Sequence, residues 1–318
     1  MYKEYEITNK GNYQIGEVET IELGLTQSCN MHCPYCGAYK VDFSEKMMPL
    51  SNILHELKGT KSLRNISLSG GEVLINYDEC LQLCDFCVDN GYKLQINTNA
   101  SLLTDERVYE LKNRGLDIIH ISLNFYDADD YSSYYQVDKQ VFYHLIEMIK
   151  LCAKVFKNCV VETILCDEFQ DNIVPINLLL SELGVHIHQI QYGMTRDKWD
   201  NKVQEAKTLH CLQELFRSKK DDMSIYVSCI SILAGGNSEK LLEDYIDKNN
   251  VFFIDCNEGR QRFHVHRNGD VVVCDIGFPY KFGNLFTDEI DMNDLDFSDE
   301  MIMGFLDHHG CAKSCILR

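Results

Sequence analysis

Between residues 19 and 218, strand-like and helix-like runs alternate six times. Strand-like runs fall near 19–26, 65–69, 92–97, 117–123, 159–166 and 185–193. Helix-like stretches fall near 44–58, 77–90, 103–114, 138–156, 171–183 and 199–218. Helices of this length between consecutive strands argue for a parallel sheet with crossover connections. Gly91 and Gly115 stand where two of the helices should stop. Beyond residue 219 the pattern changes to short β-like runs near 225–230, 263–266 and 271–273, with glycine-rich turns. The expected fold class is therefore α/β. A partial (β/α)6 barrel should cover 1–219, with a small α+β domain over 220–318.

The 318 residues carry a net charge of −19, from 49 acidic and 30 basic side chains. A field of that sign repels phosphate backbones and anionic lipid surfaces, so neither nucleic acid nor membrane is expected as a partner. It favours a neutral or cationic substrate. The N-terminus has no apolar signal region, and no apolar run approaches the roughly 18 residues of a spanning helix. These features predict a cytoplasmic protein. Fifteen cysteines in a reduced compartment read as metal ligands, nucleophiles or small core residues.

Cys29, Cys33 and Cys36 have the spacing C-x3-C-x2-C, directly after the first strand. Three thiolates can hold three irons of a [4Fe–4S] cube and leave the fourth iron for a small chelating molecule. Zinc is the competing reading, with His32 as a fourth ligand. Pro34 disfavours regular helix through the segment. The same spacing recurs at Cys80, Cys84 and Cys87, but there it lies in a helix-like stretch. These three share its apolar face over about 10 Å of axis and read as small core residues.

The cysteine loop after strand one, followed by Ser69-Gly70-Gly71-Glu72 after strand two, resembles the radical S-adenosylmethionine (SAM) superfamily over roughly residues 20–195. The resemblance implies a [4Fe–4S] cluster on Cys29, Cys33 and Cys36, and SAM bound with its methionine amine near Gly70, Gly71 and Glu72. Glycines allow close backbone approach, and Glu72 offers a carboxylate to an ammonium. Tyr35 holds the position that lies against adenine in the family. Thr98 and Asn99 at the end of strand three, and Ser122 and Asn124 at the end of strand four, match the family's polar SAM-contacting positions. Thr163 in strand five and Tyr192 at the end of strand six are weaker matches. The implied chemistry is one-electron reduction of the SAM sulfonium, release of methionine, and hydrogen abstraction by a 5′-deoxyadenosyl radical. A flavodoxin- or ferredoxin-type reductant would supply the electron.

Near the C-terminus, Cys256 and Cys274 bracket Gly269 as C-x12-G-x4-C. Phe282-Gly-Asn-Leu285 follows, and Cys311 and Cys315 come last. The run His266-Arg-Asn-Gly269-Asp270 predicts a hairpin turn. This resembles the SPASM/Twitch extension of radical SAM enzymes. A full SPASM domain has seven cysteines; four suffice for one auxiliary [4Fe–4S] cluster, and a zinc site is the alternative. Cys229 lies where the two regions meet and is the candidate thiol hydrogen donor. Packing is the ordinary reading for it, as for Cys152, Cys159, Cys166 and Cys211.

The combination is commonest among enzymes that modify ribosomally made peptides by crosslinking or epimerisation, so a peptide substrate is expected. The 28 residues before Cys29 are too few for a leader-binding domain, which suggests a short substrate or a separate leader-binding protein. A radical SAM enzyme of small-molecule or cofactor biosynthesis is the alternative. A non-catalytic Fe–S electron carrier is the third reading, and it would leave Gly70-Gly71-Glu72 without a purpose.

Overall fold

The computed structural model describes residues 17–36, 47–192, 202–228, 245, 250–254, 258–259, 261–273, 281–288 and 290–295. Its centre is a parallel sheet of β1 (Thr20–Thr26), β2 (Asn65–Gly70), β3 (Lys93–Thr98), β4 (Ile118–Ser122), β5 (Asn158–Leu165) and β6 (Ile187–Tyr192) in sequence order. The connecting helices are α1 (Leu50–Leu57), α2 (Tyr77–Asn90), α3 (Asp105–Asn113), α4 (Ala128–Tyr135), α5 (Lys139–Val155), α6 (Gln170–Leu183) and α7 (Lys202–Ser218). This is the α/β, parallel-sheet architecture expected.

Strand periodicity sorts the sheet into two chemically different faces. Ile21, Leu23, Leu25, Ile66, Leu68, Leu94, Ile96, Ile119 and Ile121 are fully buried on the face that packs against the helices. The alternate positions face the inside of the partial barrel and are mostly polar: Glu22, Ser67, Gln95, Asn97, His120, Ser122, Glu162 and Gln189. A parallel sheet covered on both faces would read as continuous apolar runs. This alternation leaves the inner face open for chemistry.

Several local features follow from the residues present. Gly91 ends α2 in the left-handed conformation at φ 72°, and Gly115 has φ 92° just after α3. Helix α1 begins only after Pro49, whose ψ of 138° is extended, and is shorter than the periodicity of 44–58 suggests. Helix α4 was not anticipated. It is eight residues long and rich in tyrosine and aspartate, which are indifferent helix formers. Asp127 caps it by accepting from the amides of Asp129 and Asp130, and packing of Tyr131 and Tyr135 holds it.

The strands after residue 219 are hydrogen-bonded into the same sheet. β7 (Ser224–Ser228) pairs parallel with β6, and β8 (Val251–Ile254) parallel with β7. At the other edge β9 (Arg262–His266) pairs parallel with β1. β10 (Asp270–Val272) and β11 (Lys281–Asn284) then continue antiparallel. The predicted hairpin is present between β9 and β10. Gly269 occupies its turn at φ 94°, and a β-carbon there would stand 2.5 Å from the ring of Phe286. Among the described residues, no helix is long and apolar enough to cross a membrane.

Candidate active site

The cysteine loop leaves β1 and runs back over the end of β2. The Gly71 amide donates to the Thr26 carbonyl (2.6 Å), and the Glu72 amide to the Ser28 carbonyl (2.9 Å). A β-carbon on Gly70 would overlap the carbonyl oxygen of Thr26, and one on Gly71 that of Ser28. Gly70 also has φ 121°. The paired glycines therefore let the second motif press against the first. The backbone they approach is the cysteine loop's own.

Glu72 is 1% exposed. Its carboxylate accepts from the Leu74 amide (3.0 Å), the Thr98 hydroxyl (2.8 Å) and the Asn99 amide (2.8 Å). Burial raises its pKa, and those three donors partly offset the rise. Thr98 in turn accepts from the Ala100 amide (3.0 Å). Asn99 accepts from Ser101 and donates to Asn30 of the cysteine loop (3.1 Å), which donates back to Ser101 (2.7 Å). Thr98 and Asn99 thus lock Glu72 and the loop together. Asn30 and Ser101, which complete this ring, carry no motif that would single them out in the sequence.

Cys29, Cys33 and Cys36 are half-buried thiols. Burial raises the pKa of Cys29 and pushes Cys33 up to about 11, with further repulsion between the cysteines. Glu72 adds to that repulsion at Cys29. Cys29 and Cys33 therefore favour their ionised forms only beside a cation. Among the described residues, the one set of three donors within 4.8 Å of one another is Glu22, Glu258 and His264, and Arg262 already bridges both of those carboxylates. The three thiols are not gathered on a single ion, as zinc would require. They fit a multi-iron cluster, and the buried carboxylate beside them fits an ammonium.

Tyr35 enters an aromatic cluster with Tyr135 and Phe169, at ring-centroid distances of 6.5 and 5.4 Å. Its hydroxyl accepts from Asn124 (3.1 Å), which also donates to Tyr135 (3.0 Å) and accepts from the Ile164 amide (2.9 Å). Asn124 is 2% exposed and works as a brace between β4, β5 and the cysteine loop. The spacing of Tyr131, Tyr134 and Tyr135 could have signalled this cluster; Phe169 could not be found from the sequence. Ser122 is exposed at the end of β4. Thr163 lies on the helix-covered face, bonded to the Leu123 carbonyl and to His188, so it is not part of this site. Cys229, Cys256, Cys274, Cys311 and Cys315 lie outside the described residues.

Cys80, Cys84 and Cys87 are buried in α2, with burial pushing Cys84 and Cys87 up to about 12. They are core residues, as their helical spacing predicts. Cys152, Cys159 and Cys211 are buried too, whereas Cys166 is only partly so.

Residues 23–175 match the radical SAM superfamily. That segment is a radical SAM domain. A [4Fe–4S] cluster and SAM are the cofactors that this family implies. An uncharacterized protein of Methanocaldococcus jannaschii is 30% identical over 170 residues, covering 52% of this chain and 55% of the relative. A GTP 3′,8-cyclase of Clostridium perfringens is 29% identical over 192 residues, 55% of each protein. The chain thus spans about half the length of these two curated relatives. Among solved structures, Streptococcus suis SuiB bound to precursor peptide SuiA aligns with a TM-score of 0.66 at 17% identity, over 92% of this chain and 68% of SuiB. The anSMEcpe structure with bound AdoMet aligns with a TM-score of 0.62 at 14% identity, over 86% and 81%. These two likenesses are of fold.

Proposed function

We propose that this radical SAM enzyme modifies a peptide substrate by hydrogen-atom abstraction. The observation that carries the radical chemistry is the joint built by Gly70 and Gly71, which holds three clustered thiols against one buried, oriented carboxylate. When bound, the cluster and SAM supply reductive cleavage of the sulfonium and a carbon-centred radical. The chain's own residues do the positioning. Cys29, Cys33 and Cys36 would hold the irons. Glu72, oriented by Thr98 and Asn99, would draw the methionine ammonium of SAM to Gly70 and Gly71. Tyr35 would offer its ring to adenine, and Asn124 fixes that ring's position. Ser122 remains free to meet the cofactor's polar groups.

A peptide substrate is supported by the fold shared with SuiB in complex with its precursor peptide. The relatives named GTP 3′,8-cyclase favour a nucleotide as the second reading. Among the described residues, the inner-face Arg262 is already paired with Glu22 and Glu258, which favours the peptide reading, because a triphosphate needs free cations. Anaerobic reconstitution with dithionite and SAM tests both readings. Formation of 5′-deoxyadenosine with short peptides encoded near the gene, and a mass change in one of them, is the expected result. Turnover of GTP instead would select the second reading.

Cys256, Cys274, Cys311 and Cys315 are proposed as ligands of one auxiliary [4Fe–4S] cluster. The hairpin between Cys256 and Cys274 in the sequence supports this. Iron analysis should find about eight irons per chain for two clusters, against about four for one. Cys229 directly follows β7 in the sequence and is proposed as a hydrogen donor; unchanged solvent-deuterium incorporation in Cys229→Ala would remove it from that role.

A further inference from the structure

One row of strand partners crosses the inner face of the sheet from β4 to β8: Ser122, Glu162, Gln189, Tyr226 and Phe252. Its neighbours on the other face, such as Thr163 and Ile190, are buried beneath the helices. Glu162 sits in the middle of this row with 29% of its side chain exposed. One carboxylate oxygen accepts from the Gln189 amide (3.0 Å) and lies 4.0 Å from Nδ1 of His120. Among the described residues, no lysine or arginine pairs with it.

Among the described residues it shares that isolation with Glu72, the carboxylate proposed for the SAM ammonium, whereas several other part-buried carboxylates are ion-paired. Glu22 and Glu258 are paired with Arg262, Glu79 with Arg267, and Asp270 with Lys281. A secluded carboxylate is costly unless a cation or a proton accompanies it. Burial pushes the Glu162 carboxyl up to about 7 and His120 down to about 4. His120, the titratable side chain that faces it from β4, is therefore neutral near pH 7 and does not supply the charge. β6 contributes only the neutral Gln189. Further along the row, Tyr226 and Phe252 stack with centroids 4.9 Å apart and planes 22° apart. A carboxylate beside a flat aromatic shelf suits a cation carried on an alkyl stem.

We infer that Glu162 anchors a cationic side chain of the substrate, lysine- or arginine-like, with its stem across Tyr226 and Phe252. This rests on the peptide reading and names the kind of residue that the site selects. The net charge of −19 would draw such a substrate in.

The test uses the reconstituted, SAM-loaded protein and two probes that share a butyl stem and differ by the terminal ammonium, Nα-acetyl-lysinamide and Nα-acetyl-norleucinamide, followed by saturation-transfer NMR. The lysine probe should bind roughly ten-fold more tightly. Its advantage should grow between about pH 6 and about pH 8, as the carboxyl ionises. Glu162→Gln should abolish both the preference and its pH dependence, while SAM affinity is unchanged. The variant should melt no lower than the wild type at the higher pH, since it removes an unpaired secluded charge. Equal binding of the two probes overturns the inference, as does a preference that survives Glu162→Gln. Loss of SAM affinity in that variant also overturns it, by placing the carboxylate in the cofactor pocket. Failure of the radical SAM reading would appear separately, as absence of SAM cleavage in both proteins.

Discussion

The backbone of Gly71 lies directly on the carbonyl oxygen of Ser28, with no room between them for a β-carbon. Gly71→Ala therefore has to push the cysteine loop off the end of β2, because the obstacle is backbone and not a flexible side chain. We expect a loss of about 3 kcal/mol of stability. Reconstituted iron should fall well below the wild-type value, because Cys29 follows Ser28 immediately. Iron analysis beside far-UV circular dichroism checks this: iron lost with helicity retained is the expected pair of results.

Two triplets of identical spacing should behave oppositely. Cys33→Ala should prevent assembly of the SAM-binding cluster. Cys84→Ala, in the core of α2, should leave iron per chain unchanged and cost about 1 kcal/mol from the small cavity it opens. The 400 nm absorbance of reconstituted protein and a urea titration separate the two effects. Loss of iron in Cys84→Ala would contradict the assignment.

Asn124 serves three partners at once: its side-chain amide donates to Tyr35 and Tyr135, and its carbonyl accepts from the Ile164 amide. Asn124→Ala leaves the Ile164 amide without its partner in a closed environment. That should cost about 1–3 kcal/mol and loosen Tyr35. Denaturant midpoints give the first. A double-mutant cycle with Tyr35→Phe gives the second and should show non-additivity, because the two residues share a hydrogen bond.

Arg267, in the β9–β10 turn, grips both carboxylate oxygens of Glu79 on α2 (2.8 and 2.5 Å) and the Met48 carbonyl (2.6 Å). The hydrogen bonds from Arg267 hold the Glu79 carboxyl below its ordinary value of 4.5 against partial burial. A carboxylate with a depressed folded-state pKa stabilises the fold above its unfolded value, and that contribution is lost as pH falls through the folded value. Thermal melts of the wild type should drop on acidification below about pH 4.5. Glu79→Gln should be less stable near neutrality by roughly 1–3 kcal/mol and show a shallower acid limb. Parallel acid limbs would show that the clamp does not contribute.

Much of the barrel was legible because helix and strand periods differ and the runs were long. Cys29, Cys33, Cys36 and Gly70-Gly71-Glu72 were legible as motifs, since their spacing is local. The braces were not. Asn30 meets Asn99 and Ser101 across 69 and 71 residues, and Tyr35 meets Tyr135 across 100. Such pairs are chosen by which strand ends lie side by side. The purpose of the glycines was also only half visible: their need for close approach could be read, but not that the partner is the cysteine loop.

The sequence by itself determined the βα alternation and the radical SAM motifs, because each is a property of neighbouring residues or of a fixed period. It also predicted the turn at Gly269, where the chain must enter a positive φ. Only the tertiary structure decided that β7, β8 and β9 join the barrel's own sheet, that Thr163 faces helices while Glu162 faces the interior, and that no lysine or arginine among the described residues pairs with Glu162 there. Those outcomes depend on strand register across long stretches of chain, where a shift of one residue exchanges the two faces.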